Sequence, residues 1–139
     1  MVNAMNRITP EKVDRLRDSE LFVFGSNLAG RHGAGAAYTA YKRFGATPSR
    51  CHGIDNSCYG IPTKDAALKV LPLGRIAKYV QNMIDDARNY PEKIFLVTKI
   101  GCGLAGYTSN DIAPLFKDAV DIENIHLPQE FWDILLTTG

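Results

Sequence analysis

The chain has 139 residues, 45% of them hydrophobic, which is the size of one ordinary domain with a core that needs no disulfide staples. Sixteen basic residues against fifteen acidic ones leave a formal charge of +1, which excludes the basic stripe of a general nucleic-acid binder and the acidic run of a disordered tail. No apolar run approaches the ~20 residues of a membrane span, the opening MVNAMNRITPEK lacks a signal-peptide core, and three cysteines without paired spacing suit a reducing compartment.

A soluble, cytoplasmic, single-domain protein spanning 1–139 is therefore expected. In chain order, Thr9-Pro10-Glu11 reads as a helix start, with a cap, a first-turn proline and an acid at the dipole's positive end. That short helix carries Val13 and Leu16 inward and ends near Asp18. Leu21 to Phe24 is too brief for a helix and bulky enough for a buried strand. Glycines 30, 33 and 35 then interrupt the chain before Ala37, Ala40, Tyr41 and Phe44 recur at helical spacing, stopping at Gly45. Residues 46–56 show no periodicity and read as a loop, and Cys58 to Ile61 reads as a second strand. Leu73, Ile76, Ala77, Val80, Met83, Ile84 and Ala87 form the stripe of the longest helix, ending at Pro91.

Lys93 to Ile100 is the clearest strand, continuous enough to be buried on both faces. It runs into a second glycine loop, Gly101 to Tyr107. A helix starting at Asn110 or Asp111 follows, where Pro114 is tolerated in the first turn, with Ile112, Leu115, Phe116 and Ala119 inward. Asn124 to Leu127 is a short strand on which His126 faces out, and Phe131, Trp132 and Leu135 mark a closing helix with Trp132 in the core.

Strands alternating with helices imply a three-layer α/β/α sandwich around a mostly parallel, mixed sheet. Ligands in such sheets bind at the carboxyl ends of the strands. Both glycine loops follow a strand and precede a helix, so they sit at that same end. A glycine loop opening a helix offers backbone N–H groups and the positive end of the helix dipole to an anion, usually phosphate. The first loop is neither a Walker loop nor the dinucleotide fingerprint, and either loop alone is equally a tight turn where helix packs on strand. Two of them at one sheet end read as a diphosphate cradle.

Three blocks in order carry a family resemblance. Phe24-Gly-Ser-Asn-Leu-Ala-Gly-Arg-His-Gly-Ala-Gly-Ala-Ala37 resembles the asparagine-then-glycine motif of macrodomains. Tyr59-Gly-Ile-Pro-Thr-Lys64 is similar to their intervening strand, and Ile100-Gly-Cys-Gly-Leu-Ala-Gly-Tyr107 resembles their second phosphate loop. Within the family, the similarity leans toward the terminal ADP-ribose protein glycohydrolases and covers roughly residues 20–120. The resemblance implies a fold that binds ADP-ribose or a related nucleotide, free or carried on a protein. Asn27 would approach the distal ribose. Gly30, Gly33, Ala34 and Gly35 would meet the phosphates from one side, and Gly101, Cys102, Gly103, Leu104, Ala105 and Gly106 from the other, with Tyr107 lining the distal end. Lys64 matches the subgroup's nucleophilic lysine. Ala105 stands where that subgroup has its assisting aspartate, and the usual Gly-Asp-Ile before the first block, whose acid reads adenine, has no counterpart.

Lys64 therefore has two readings, a nucleophile with a lowered pKa or a cation that pairs with ligand phosphate. His32 is a general base or phosphate donor with an unperturbed pKa of ~6.5, or a residue that the loop merely accommodates. Cys102 sits where thiolates are stabilised, yet a small buried cysteine fits a tight loop equally. Cys51, His52 and Cys58 lack zinc-ligand spacing, so neither metal nor cofactor is expected. Three functions remain: a module that binds ADP-ribose without turnover, an ADP-ribosyl hydrolase or ADP-ribose-phosphate phosphatase using Lys64, Asn27 and His32, or a structural domain with no nucleotide affinity.

Overall fold

The computed structural model describes residues 4–137; the first three and last two positions of the expected 1–139 domain lie outside the described residues. Five strands form one sheet in the order β2-β3-β1-β4-β5. In chain order they are β1 (Glu20–Asn27), β2 (Gly53–Asp55), β3 (Cys58–Lys64), β4 (Ile94–Val97) and β5 (Ile125–His126). Three pairings are parallel and only β2 runs antiparallel, against β3. The helices are α1 (Gly35–Arg43), α2 (Leu73–Asn89), α3 (Ser109–Ile112) and α4 (Gln129–Thr137), with a 3-10 segment at Ala113–Ala119.

Side chains alternate across the pleat of β1. Phe22 and Phe24 face α1, where they meet Ala37, Ala40, Phe44 and Cys58. Leu21 and Val23 face the larger core beneath α2, the 3-10 segment and α4, with Tyr59, Ile61, Phe95 and Val97. The result is the expected α/β/α sandwich around a mixed sheet. In the α2 stripe, Ile76, Val80, Met83, Ile84 and Ala87 are buried, and Ala77 lies at its half-buried margin.

Several local expectations are corrected. Residues 9–18 form no helix. Ile8 bridges Leu127 in parallel, and the Thr9 N–H donates to the Leu127 carbonyl at 2.9 Å, so the backbone of the would-be cap is tied to the sheet edge. Val13 and Leu16 still pack on the α1 face, from a segment that is neither helix nor strand. A helix this short is marginal without a fuller apolar stripe. The 46–56 loop contains β2, a three-residue edge strand too short to show a period. The second strand extends from Ile61 to Lys64 despite Pro62, because β2 pairs no further than Gly60 and leaves that edge open. The 93–100 strand is shorter than expected and ends at Val97, where the Thr98 hydroxyl donates to the Val23 carbonyl at 2.7 Å.

The helix expected from Asn110 or Asp111 starts at Ser109 instead, set by a capping box between Thr108 and Asp111, and tightens to 3-10 at Ala113 beside Pro114. The last strand is trimmed to Ile125–His126, and His126 is half-buried rather than solvent-facing. Trp132 is core, 1% exposed.

Arg7 is an unforeseen keystone of the larger core. Its guanidinium, on a residue only 7% exposed, donates to the carbonyls of Ala119, Val120, Ile122 and Ile125 at 2.7–3.0 Å. It also lies 4.9 Å from the Trp132 ring, whose Nε1–H donates to the Arg7 carbonyl at 2.7 Å. Only a planar fork of donors satisfies so many carbonyls at once. Arg7→Met is expected to cost about 3 kcal/mol in urea denaturation, and Arg7→Lys to recover little of it.

Two histidines are destabilised as cations. Burial lowers the pKa of His52, with Asp86 partly opposing, and burial followed by Arg7 lowers that of His126, with Glu20 opposing. The unfolded chain then binds more protons as pH drops through the ordinary histidine value of about 6.5, so stability is full above that value and falls below it. The melting temperature should therefore decrease from pH 7.5 to 5.5. The decrease should be smaller in the His52→Gln, His126→Gln double variant, as read by calorimetry.

Candidate functional site

Parallel pairing of β1 with β3 and β4 brings three strand ends to one edge of the sheet. A cleft of about 510 Å³ opens there. Its floor is Gly25, Ser26 and Asn27 from the end of β1, Thr63 and Lys64 from β3, and Thr98 to Gly101 after β4. Gly33 to Ala37, leading into α1, form one wall, and Gly103, Leu104 and Ala105 form the other.

The backbone of each wall explains what it can hold. Ala34 occupies the N-cap of α1 and supplies no side-chain cap. Gly35, Ala36 and Ala37 keep the orphan N–H groups of a first helical turn, which form the positive end of the helix dipole. In the second loop the N–H groups of Cys102, Gly106 and Tyr107 donate to Lys99, Gly103 and Gly101 carbonyls. Those of Gly101, Gly103, Leu104 and Ala105 make no hydrogen bond among the described residues. The residues with unengaged amides line the cleft, while those with engaged amides do not. The loop therefore folds on three of its amides and presents the other four.

Three cations line the cleft, Arg31, Lys64 and Lys99, and among the described lining residues there is no carboxylate. Lys99 pairs with the exposed Glu130 at 3.3 Å. Lys64 stands opposite Asn27 in the β1–β3 register, after a local shift between Ser26 and Asn27, and its carbonyl accepts from the Leu28 N–H at 2.9 Å. The Asn27 side chain closes its own turn: Nδ2 donates to the Arg31 carbonyl at 2.7 Å and Oδ1 accepts from the Arg31 N–H at 3.0 Å. Asn27 thereby fixes where Arg31 leaves the backbone.

Of the residues singled out from sequence, Asn27, Gly33, Ala34, Gly35, Lys64, Gly101, Gly103, Leu104 and Ala105 come together in this cleft. Gly30, His32, Cys102, Gly106 and Tyr107 do not line it. His32 is 8% exposed, with its ring edge-on to Phe24 and Nε2 3.0 Å from the Thr47 carbonyl. That contact requires Nε2 to carry a proton, since a carbonyl only accepts, and directs the ring into the 46–56 segment, away from the cleft. Burial pushes the Cys102 thiol up, against smaller downward pulls from Ser109 and Lys99, which opposes thiolate chemistry. The Tyr107 hydroxyl donates to the Leu71 carbonyl at 2.7 Å, bracing the second glycine loop against the chain that follows β3.

Arg31, Thr63, Leu68, Thr98 and Lys99 also line the cleft and were not foreseen. Arg31 and Lys99 each flank a glycine loop at a strand end, a signal that was available. Leu68 carried none.

Gly30 serves the fold. It has φ +67°, and a Cβ there would lie 2.4 Å from the Ser49 backbone. At Gly33 a Cβ meets nothing within 4 Å. Gly30→Ala is expected to cost about 1–3 kcal/mol from its conformation alone, with the clash adding to it, whereas Gly33→Ala leaves the melting temperature unchanged in thermal denaturation.

No protein-family model matches the chain, and no curated protein matches it in sequence. Solved structures do share its architecture. A macrodomain protein from Streptomyces coelicolor superimposes with a TM-score of 0.58 at 14% identity, over 84% of this chain and 90% of that one. A protein of unknown function from Bacteroides thetaiotaomicron superimposes with a TM-score of 0.59 at 13% identity, over 83% of this chain and 88% of the other. At these identities the likeness is one of fold, and that fold is macrodomain-like.

Proposed function

We propose that this macrodomain-like chain binds ADP-ribose or a related diphosphate nucleotide, free or attached to a protein, and holds it without turnover. The observation that carries the reading is the convergence of two sets of unengaged backbone amides, those of Gly35, Ala36 and Ala37 and those of Gly101, Gly103, Leu104 and Ala105, on one cleft. Adjacent phosphates present acceptor oxygens on both sides, and amides at a helix start and in a glycine loop meet them without a side-chain entropy cost. Arg31 and Lys64 make no ion pair among the described residues and match the two charges of a diphosphate. With Ala105 in the aspartate's place, and no carboxylate among the described lining residues, the cleft has no acid–base partner for Lys64. That favours binding over glycosidic cleavage.

Calorimetric titration with ADP-ribose, against AMP and ribose 5-phosphate as controls, tests the reading. ADP-ribose should bind and the monophosphates should not. Arg31→Ala and Lys64→Ala should each weaken binding about tenfold, as loss of a charge-assisted contact does. No affinity for ADP-ribose would overturn the reading, and Lys64-dependent release of ADP-ribose from a modified protein would replace it with a hydrolase.

A further inference from the structure

The cleft carries an apolar rim that a diphosphate leaves unused. Leu68 lines it, remains 44% exposed, and has φ +66°. Leucine adopts this left-handed conformation at a cost, whereas glycine and asparagine adopt it readily. The turn that imposes it is built around Asp65. Its Oδ1 accepts from the N–H groups of Ala67 and Lys69 at 2.9 Å, its own N–H donates to the Lys69 carbonyl at 2.7 Å, and its carbonyl accepts from Leu68 at 3.0 Å. A bridge between Lys64 and Val70 closes the base of the turn. Strain held in place by its surroundings in this way collects where a side chain must meet a ligand.

Leu104, on the facing loop, is 71% exposed, with Cδ1 3.8 Å from where a Cβ on Gly35 would lie. Neither leucine belongs to a core cluster. Neighbouring strands are about 4.8 Å apart, so the ends of β3 and β4, which flank β1, lie roughly 10 Å from each other. Lys64 and Leu68 stand at the β3 end of the cleft, so a group carried by a diphosphate seated between the α1 start and the loop after β4 comes beside them when it extends toward β3. No aromatic ring lines the cleft among the described residues, so a ring placed there is met by aliphatic contact.

Resting on the diphosphate reading above, we infer that Leu68 is a specificity-determining residue. Its side chain packs on the C–H face of a second sugar, the one that ADP-ribose carries on its diphosphate and ADP lacks, and the site selects diphosphates with that second sugar over simple nucleoside diphosphates. Leu68→Asn and Leu68→Gly, titrated with ADP-ribose and with ADP, test this. The wild type should prefer ADP-ribose. Both variants should lose about tenfold in ADP-ribose affinity, the value of a partly buried leucine side chain, while ADP affinity stays unchanged. Both should melt no lower than the wild type, because the strained position is relieved. An unchanged ratio of the two affinities in either folded variant, or equal binding of ADP and ADP-ribose by the wild type, overturns the role of Leu68 and leaves the diphosphate reading standing. Failure of the wild type to bind either compound overturns both.

Discussion

Parallel pairing on both edges of β1 is the constraint from which the cleft follows. A parallel partner cannot be reached by a tight turn, so the chain leaves each strand at its carboxyl end and returns through a helix or a long connection. With β3 on one side of β1 and β4 on the other, three departing segments crowd one edge of the sheet. The pleat makes the pairing register strict, because Phe22 and Phe24 must face α1 while Leu21 and Val23 face α2. A slip of one residue would exchange these faces and bury the wrong set. That register, with its local shift after Ser26, sets Asn27 and Lys64 side by side.

The two glycine segments solve one problem differently. The first uses the geometry of a helix start, where unsatisfied donors are unavoidable, and leaves its cap position to an alanine that cannot satisfy them. The second folds on three internal hydrogen bonds and keeps its remaining donors outward. Gly30 and His32 belong to neither surface. They join the first segment to the 46–56 chain, Gly30 through its closeness to Ser49 and His32 through Thr47, whose own N–H and hydroxyl donate to the Asp55 carboxylate. The 46–56 chain therefore acts as a backing for the first loop.

The sandwich was legible because its strands are dense in β-branched and aromatic residues and its glycine loops sit between strand and helix. The backbone residues that line the cleft were legible for the same reason, since both glycine loops leave the carboxyl ends of strands. What was not legible depended on partners far away in sequence. Thr9-Pro10-Glu11 has the local chemistry of a helix start, but Leu127 claims its backbone. Arg7 reads as one more surface charge until the carbonyls of residues 119–125 are brought around it. His32 has the composition of a site residue and the position of a packing one. Leu68 carries no pattern at all, since its conformation comes from a turn that Asp65 organises.

The Arg7 clasp also bears on how the protein is made. Its hydrogen bonds join positions 112 to 125 residues apart, so the larger core stays unsealed until the segment bearing Trp132 has emerged from the ribosome. Such distant contacts pay their full loop-closure entropy before returning any stability. The face that carries Leu21, Val23, Tyr59, Ile61 and Phe95 packs against α2, the 3-10 segment and α4, so it is not fully covered before then. Such half-covered faces are what holding chaperones bind and what neighbouring nascent chains stick to.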